Sequence, residues 1–289
     1  MSFAQTKGEK IFNVFNSILL GVVVILTLYP FYYTVIASFS RGDDLVAGRV
    51  LFWPVNPNLK AYAMIPTIKN FFIAYGNTLF YTVVGMVLGV LVMSMGAYAL
   101  SRRYLHGRRF LGLLISFTMW FNAGMIPFYL NMDSMNLTNS RWGIIFAFLC
   151  SPFYIIILRS YFESIPQEME EAAKMDGLGH FGTFCQIMFP LAKPSLLTVA
   201  LYVAIDRWNG YFWAMILLKD EKLVPVQVVL KKLIVENQVA SAADGGLMDM
   251  TRESLVYAVV VVVIIPIVAV YPFIQKYFIK GMMVGAVKG

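Results

Sequence analysis

The sequence predicts an all-α membrane protein of six transmembrane helices, with a short helix outside the bilayer between spans four and five. Three observations carry this prediction. Of the 289 residues, 59% are hydrophobic and only 13% are charged. The mean hydropathy is +0.70. Six apolar stretches are each close to the length a bilayer requires. A soluble domain has about 45–50% apolar and about 25% charged residues, so this apolar excess does not fit one water-soluble core. The composition excludes an ordinary cytosolic enzyme, a disordered chain and a disulfide scaffold.

A spanning helix needs ~20 mostly apolar residues. The stretches run from about Ile11 to Phe39, Phe71 to Leu100, Phe110 to Leu130, Trp142 to Leu158, Ser195 to Leu218 and Leu255 to Phe278. The first is too long for the core of a cleaved signal peptide and reads as a retained helix. Six spans place both termini on one side. The link from Ser101 to Arg109 carries four arginines, whereas the link from Asn131 to Arg141 on the opposite side carries one. The positive-inside rule puts the arginine link and both termini in the cytoplasm. Arg102, Arg103, Arg108 and Arg109 then read as topology anchors, with lipid head-group contact second. The segment from Ser40 to Asn70 reads as an outer loop with short turns, because it carries Pro54, Pro57 and Pro66. The second outer segment, Lys219 to Glu253, includes one short helix near Val224–Leu233.

The long segment between spans four and five carries its own helix signals. Ser164 and Gln167 form the pattern of a capping box, and Pro166 sits in the first turn. Glu168, Glu170 and Glu171 lie at the positive end of the helix dipole, and Gly177 is a natural stop. A second short helix runs from about Gly179 to Met188, where Pro190 ends it. Met169, Ala172, Ala173 and Asp176 share one face, on which the alanines admit close approach. The segment reads either as a docking knob or as a solvated connector.

Within span five, Asp206 and Arg207 are ionisable residues at membrane depth. A charge at a helix centre costs ~2.5–3.5 kcal/mol on translocon scales, so each should face protein or water. On a continuous helix Asp206, Asn209, Gly210 and Trp213 share one face, and Arg207 and Tyr211 another. With Trp208, these polar and aromatic side chains suit a sugar, which needs hydrogen bonds on its hydroxyls and an apolar surface under its ring. A polar contact between helices or subunits is the equal alternative, and a proton-relay Asp206 the third. Gly85 and Gly89 form a GxxxG that reads as helix packing. Cys150 and Cys185 read as packed thiols. Neither they nor His106 and His180 have metal-site spacing. No Walker A motif, HExxH or GxSxG is present, so the sequence carries no ATPase or hydrolase motif of its own and does not read as an enzyme.

Glu171-Ala172-Ala173, Asp176-Gly177, Phe184, Ile187, Pro190 and Pro194 resemble the EAA loop of ABC importer permease subunits, the binding-protein-dependent inner membrane components. The position before the penultimate span also matches, and the resemblance covers about Tyr75 to Phe278. Leu178 departs from the family's small residue after the Asp-Gly pair. The run Tyr271–Gly289 resembles the tail of the MalG-like carbohydrate branch, particularly its oligosaccharide and polysaccharide members.

The resemblance implies three regions: an N-terminal helix and outer loop over 1–70, a permease domain over 71–280 with its EAA loop at 163–194, and a cytoplasmic tail over 281–289. It implies a coupling helix in which Glu171 pairs with a basic residue of a separate ATPase. Ala172 and Ala173 would pack against that partner, Gly177 would form the elbow, and Asp176 and Pro190 would belong to the same loop. ATP and Mg would be bound by the ATPase dimer, with no cofactor in this chain. A second homologous permease and an extracellular or periplasmic sugar-binding protein would complete an importer in the cell membrane. A permease for peptides and an Asp206-driven secondary transporter are the rival readings.

Overall fold

The computed structural model describes residues 6–243 and 251–286, and among these all regular structure is helical. The chain divides into two compact units, Met1–Lys69 with Lys232–Ile264, and Asn70–Lys231 with Ile265–Gly289.

In the first unit, α1 (Lys7–Phe39) opens with a capping box that the sequence reading passed over: Glu9 N–H donates to the Thr6 hydroxyl, and Thr6 N–H to the Glu9 carboxylate. Its most apolar window has no residue buried within this chain. The expected loop after it contains two short helices, α2 (Gly42–Val46) and α3 (Lys60–Met64), and a 3₁₀ turn at Ile65–Thr67. Ile36, Ala37, Leu45 and Val50 form a small core, with Tyr33, Val55 and Tyr257 packed against it. Buried Asp44 is held by Asn56 and Arg49 at 2.7 and 3.2 Å.

The second unit is organised around α4 (Phe71–Ser101). Its buried positions include Phe71, Ala74, Thr78, Tyr81, Gly85, Gly89, Met93 and Ala97. They recur every three or four residues, which is one stripe of an α-helix. Against the lower part of this stripe pack Leu158 and Phe162 of α8 (Pro152–Ser164) and Leu196, Val199 and Val203 of α12 (Lys193–Trp208). Gly89 lets a neighbouring backbone in, because a Cβ there would lie 3.0 Å from the Leu149 carbonyl oxygen. The GxxxG pattern is therefore a close-approach surface.

Three of the expected spans are not straight helices. Span three is α5 (Arg108–Trp120) and α6 (Met125–Ser134), bent by 118°. The break has a local cause: Gly124 adopts φ +90°, and its N–H bonds the Asn122 side chain at 2.9 Å. Span four is α7 (Arg141–Ala147) and α8, bent by 55°. Pro152 opens α8 and holds Ser151 extended. Span five breaks at Asn209–Tyr211, between α12 and α13 (Phe212–Leu217). Among the described residues three helices are long and apolar enough to cross a membrane on their own, or up to six elements if each bent pair is one span. The pair involving α12 joins it, at 80°, to His180–Leu191 rather than to α13. Hydropathy records composition and carries no sign of these bends.

The polar segment after α13 leads into α14 (Val226–Ala243), longer than the short helix expected. Gly245 and Gly246 lie outside the described residues. The expected sixth span continues as α15 (Thr251–Ala286), so much of the expected tail is a helix extension. Residues 287–289 lie outside the described residues.

Candidate functional site

The segment after α8 is built differently from the sequence expectation at its start and as expected at its end. Ser164 is the last residue of α8, and its hydroxyl bonds back to the Tyr161 carbonyl at 2.7 Å. Ile165 is extended ahead of Pro166, as the steric demand of proline requires. The next helix, α9 (Glu168–Met175), therefore starts after Pro166, with Gln167 as a cap that makes no side-chain bond. The Ser164–Gln167 capping box is not formed.

At the other end Gly177 adopts φ +79°. Its N–H bonds the Lys174 carbonyl, and the Leu178 N–H bonds the Ala173 carbonyl at 2.9 Å. This is the paired Schellman pattern, which favours glycine at the left-handed position.

An ion pair seats α9 against the ends of α4 and α8. Glu170 is 7% exposed and Arg102 6%. Arg102 Nη1 donates to Glu170 Oε2 at 2.5 Å, Nη2 to the Phe162 carbonyl at 3.0 Å and Nε to the Ser101 hydroxyl at 2.9 Å. The guanidinium carbon lies 4.9 Å from the Tyr98 ring centre. One side chain thus ties the ends of α4, α8 and α9 together. Burial pushes the Glu170 carboxyl up, but hydrogen bonds and charge from Arg102 and Lys174 outweigh it and hold the group below the usual carboxylate value. Arg108 pairs with Glu163, as does Arg159 at 2.9 Å. Arg102 and Arg108 are therefore more than topology anchors. Their carboxylate partners lie far away in sequence, which the local charge pattern could not reveal.

The faces of α9 are unequal. Ala173 is 0% exposed and packs into its own chain, whereas Met169, Glu171, Ala172, Met175 and Asp176 face outward. This corrects the expectation that both alanines form one contact surface. The helix after it consists of α10 (His180–Thr183), a π turn at Phe184–Met188 and α11 (Phe189–Leu191). Pro190 does not end it. The wider π turn, in which the Phe189 N–H reaches the Phe184 carbonyl, accommodates a residue without an N–H. Tyr104 fixes the elbow by stacking on His180, with ring centres 5.0 Å apart and its hydroxyl 3.0 Å from Nδ1.

A second constellation surrounds the break after α12. A cavity of about 450 Å³ is lined by Tyr154, Asp206, Arg207, Asn209, Tyr211 and Trp213, among others. Asp206 and Arg207 both lie within α12 and meet different neighbours, Tyr154 for Asp206 and Phe148 for Arg207. The break turns both groups of residues toward one space. Trp208 is not part of the lining: it is buried, with its ring edge-on to Tyr75 at 6.0 Å. Asp206 Oδ2 accepts the Tyr154 hydroxyl at 2.7 Å. Cys150 also lines this cavity, and both cysteines are exposed rather than packed in the core. Among the described residues no group of three His, Cys, Asp or Glu side chains is placed to hold a metal ion.

Two asparagines that sequence reasoning missed hold the segment beside the cavity. Buried Asn77 donates to the Lys222 and Val224 carbonyls at 2.7 and 3.1 Å and accepts from Arg141 at 2.9 Å. Asn139 takes the Lys219 and Asp220 N–H groups on its side-chain oxygen. Tyr81 donates to the Leu223 carbonyl, and the Thr78 hydroxyl accepts the Val226 N–H. For Asn77 the available signal was a polar residue inside the apolar run of α4.

Comparison with known proteins fits this geometry. The family of binding-protein-dependent transport system inner membrane components matches residues 10–284. Protein LplC of Bacillus subtilis (strain 168) is 36% identical, over 99% of this chain and 97% of its own length. The polygalacturonan/rhamnogalacturonan transport system permease protein YtcP of the same organism is 35% identical, over 96% and 99%. A chain in the crystal structure of a bacterial ABC transporter involved in import of the acidic polysaccharide alginate superposes with a TM-score of 0.87. It is 45% identical, with 96% of this chain and 100% of that chain covered. A long apolar α4, bent helix pairs and a clamped acidic helix thus coincide with a match along nearly the whole chain, and the protein belongs to the family of binding-protein-dependent transport system inner membrane components.

Proposed function

We propose that the chain is a permease subunit of an ATP-driven ABC importer for sugars, taking up an oligosaccharide or polysaccharide fragment. In this reading it has six spans, both termini in the cytoplasm, and half of the translocation path. The observation that carries the coupling role is α9: a short helix with an acidic first turn, closed by a Schellman turn and seated by the buried Arg102–Glu170 pair. A helix fixed in this way can pass a displacement to α4 and α8, which a loosely tethered connector could not. Met169, Glu171, Ala172 and Asp176 form its outward surface, with Glu171 meeting a basic residue of a separate ATPase.

The family are transport subunits, so ATP and Mg belong to that partner ATPase. A second permease and a sugar-binding protein complete the assembly. ATP-driven closure of the ATPase dimer moves the coupling helices and turns the cavity from the inside to the outside. Asp206, Asn209, Tyr211 and Trp213 line the sugar path, while Trp208 supports it from behind.

The test is uptake of labelled oligosaccharide by the four-component importer in liposomes. Glu171→Lys is expected to cut ATP-dependent uptake at least about tenfold, a loss of ~1.4 kcal/mol in coupling, with insertion unchanged. Wild-type uptake by this variant would overturn the coupling role of α9.

A further inference from the structure

We propose that Arg207 is a carboxylate-reading residue of the cavity, and that the cargo is therefore an acidic oligosaccharide bearing uronate groups. The proposal rests on the sugar-permease reading and adds the chemical class of the sugar.

The starting point is a cation without an ion-pair partner among the described residues; Asp206, its sequence neighbour, lines the same cavity. Arg207 lies in the last turn of α12 and lines the cavity. Among the described residues no carboxylate comes within ion-pair distance of it, and its Nε is buried without a hydrogen-bond partner. Its neighbour Asp206 bonds the Tyr154 hydroxyl instead. The support given to Arg207 is apolar: its guanidinium carbon stands 5.4 Å from the Phe148 ring centre. Its stem runs over Gly85, where a Cβ would lie 3.3 Å from Nε and 3.5 Å from Cδ. Gly85 thus leaves the room this side chain occupies, and Phe148 holds its cation without consuming its N–H donors.

A guanidinium kept in an apolar surround with unspent donors is a receptor for a planar anion. Its fork matches a carboxylate through two parallel hydrogen bonds, whereas a neutral hydroxyl uses one donor and leaves the charge uncompensated. The rest of the lining describes what carries that carboxylate. Tyr154, Tyr211 and Trp213 give it aromatic surface, Asn209 adds an amide, and Asp206 is held by the Tyr154 hydroxyl. A volume of about 450 Å³ is in the range of small-molecule sites. Aromatic surface for pyranose carbons, polar groups for hydroxyls and one fork for a carboxylate together describe a uronate unit.

The experiment compares an acid with its neutral counterpart on the intact complex of both permeases and the ATPase, purified in detergent. The binding protein is omitted, so that its own selectivity does not enter. The probes are trigalacturonate and the fully methyl-esterified trimer, followed by titration calorimetry. The wild-type complex is expected to bind the acid at least about tenfold more tightly than the ester, as a charge-assisted pair requires. Arg207→Gln should abolish that preference, and Arg207→Lys should keep part of it. Equal binding of acid and ester by the wild type overturns the proposal without any variant. A preference that survives in Arg207→Gln also overturns it. So does a loosened complex with acid and ester affected alike, which would mark Arg207 as an ion-pair partner of the second permease. If the preference is absent while ATP-dependent uptake of a neutral oligosaccharide remains sensitive to Glu171→Lys, the permease reading stands and only the acidic cargo falls.

Discussion

Arg102→Met is expected to destabilise the protein by about 3–5 kcal/mol, the usual consequence of leaving a buried charge without its partner. The variant strands Glu170 beneath α9, frees the Phe162 carbonyl and removes the cation from the Tyr98 ring. The double variant Arg102→Met with Glu170→Met should recover most of the stability, because apolar groups of similar volume replace a buried pair at little cost. It should not recover sugar uptake to the same extent, since the bond that orients α9 is gone. Thermal unfolding of the assembled complex in detergent, alongside liposome uptake, checks both parts. A double variant no more stable than the single one would contradict the pairing. The same bond sets a pH dependence. The folded-state value of Glu170 is depressed, so its contribution is fully present above the unfolded carboxyl value of about 4.3. It is lost as pH falls through the lower folded value. Stability should therefore be flat near neutrality and decline below about pH 4, a decline that Arg102→Met diminishes.

Gly143→Ala has the second large expected effect. A Cβ at this position would lie 1.7 Å from the Leu137 carbonyl oxygen and 2.8 Å from its carbon. The obstacle is backbone, so no rotamer change relieves it. Either the turn from Leu137 to Ser140 moves or the first turn of α7 opens, breaking the Ser140 cap on the Gly143 N–H. The cost should reach about 3 kcal/mol, the upper part of the overpacking range. Because Asn139 in that turn holds Lys219 and Asp220, the effect should spread to the segment beside the cavity. Gly96→Ala is the control: it lies on α4 with nothing within 4 Å of the added Cβ. It should be neutral or stabilising by up to about 1 kcal/mol. Equal midpoints for the two variants would refute the clash.

The sequence was most legible where one property decides the outcome. The helix of the expected span two, Phe71 to Leu100, is observed as Phe71–Ser101, because a long uninterrupted apolar run satisfies its backbone within itself by forming a helix. Gly177 is readable as a stop because few residues other than glycine occupy its φ without cost. The failures share a cause. The bends at Asn122–Gly124 and Asn209–Tyr211 depend on a few dihedrals within apolar or mixed sequence. The role of Arg102 depends on a carboxylate 68 residues away. The Ser164 cap failed because Pro166 constrains Ile165 more strongly than a hydroxyl can recruit an N–H. In the candidate site, residue types at the α12 break were legible, whereas their convergence on one cavity followed from the break itself.

The two ends of α4 are pinned by different polar groups, Asn77, Thr78 and Tyr81 near its start and Ser101 with the adjoining Arg102 at its finish. At 1.5 Å per residue its 31 residues make a rod about 46 Å long. Such a rod resists axial compression, because shortening it would break consecutive backbone hydrogen bonds. A displacement of α9 through Arg102 therefore reaches the Lys222–Val226 segment undiminished, as translation or tilt of one stiff body. α4 is thus built as a strut with a polar joint at each end.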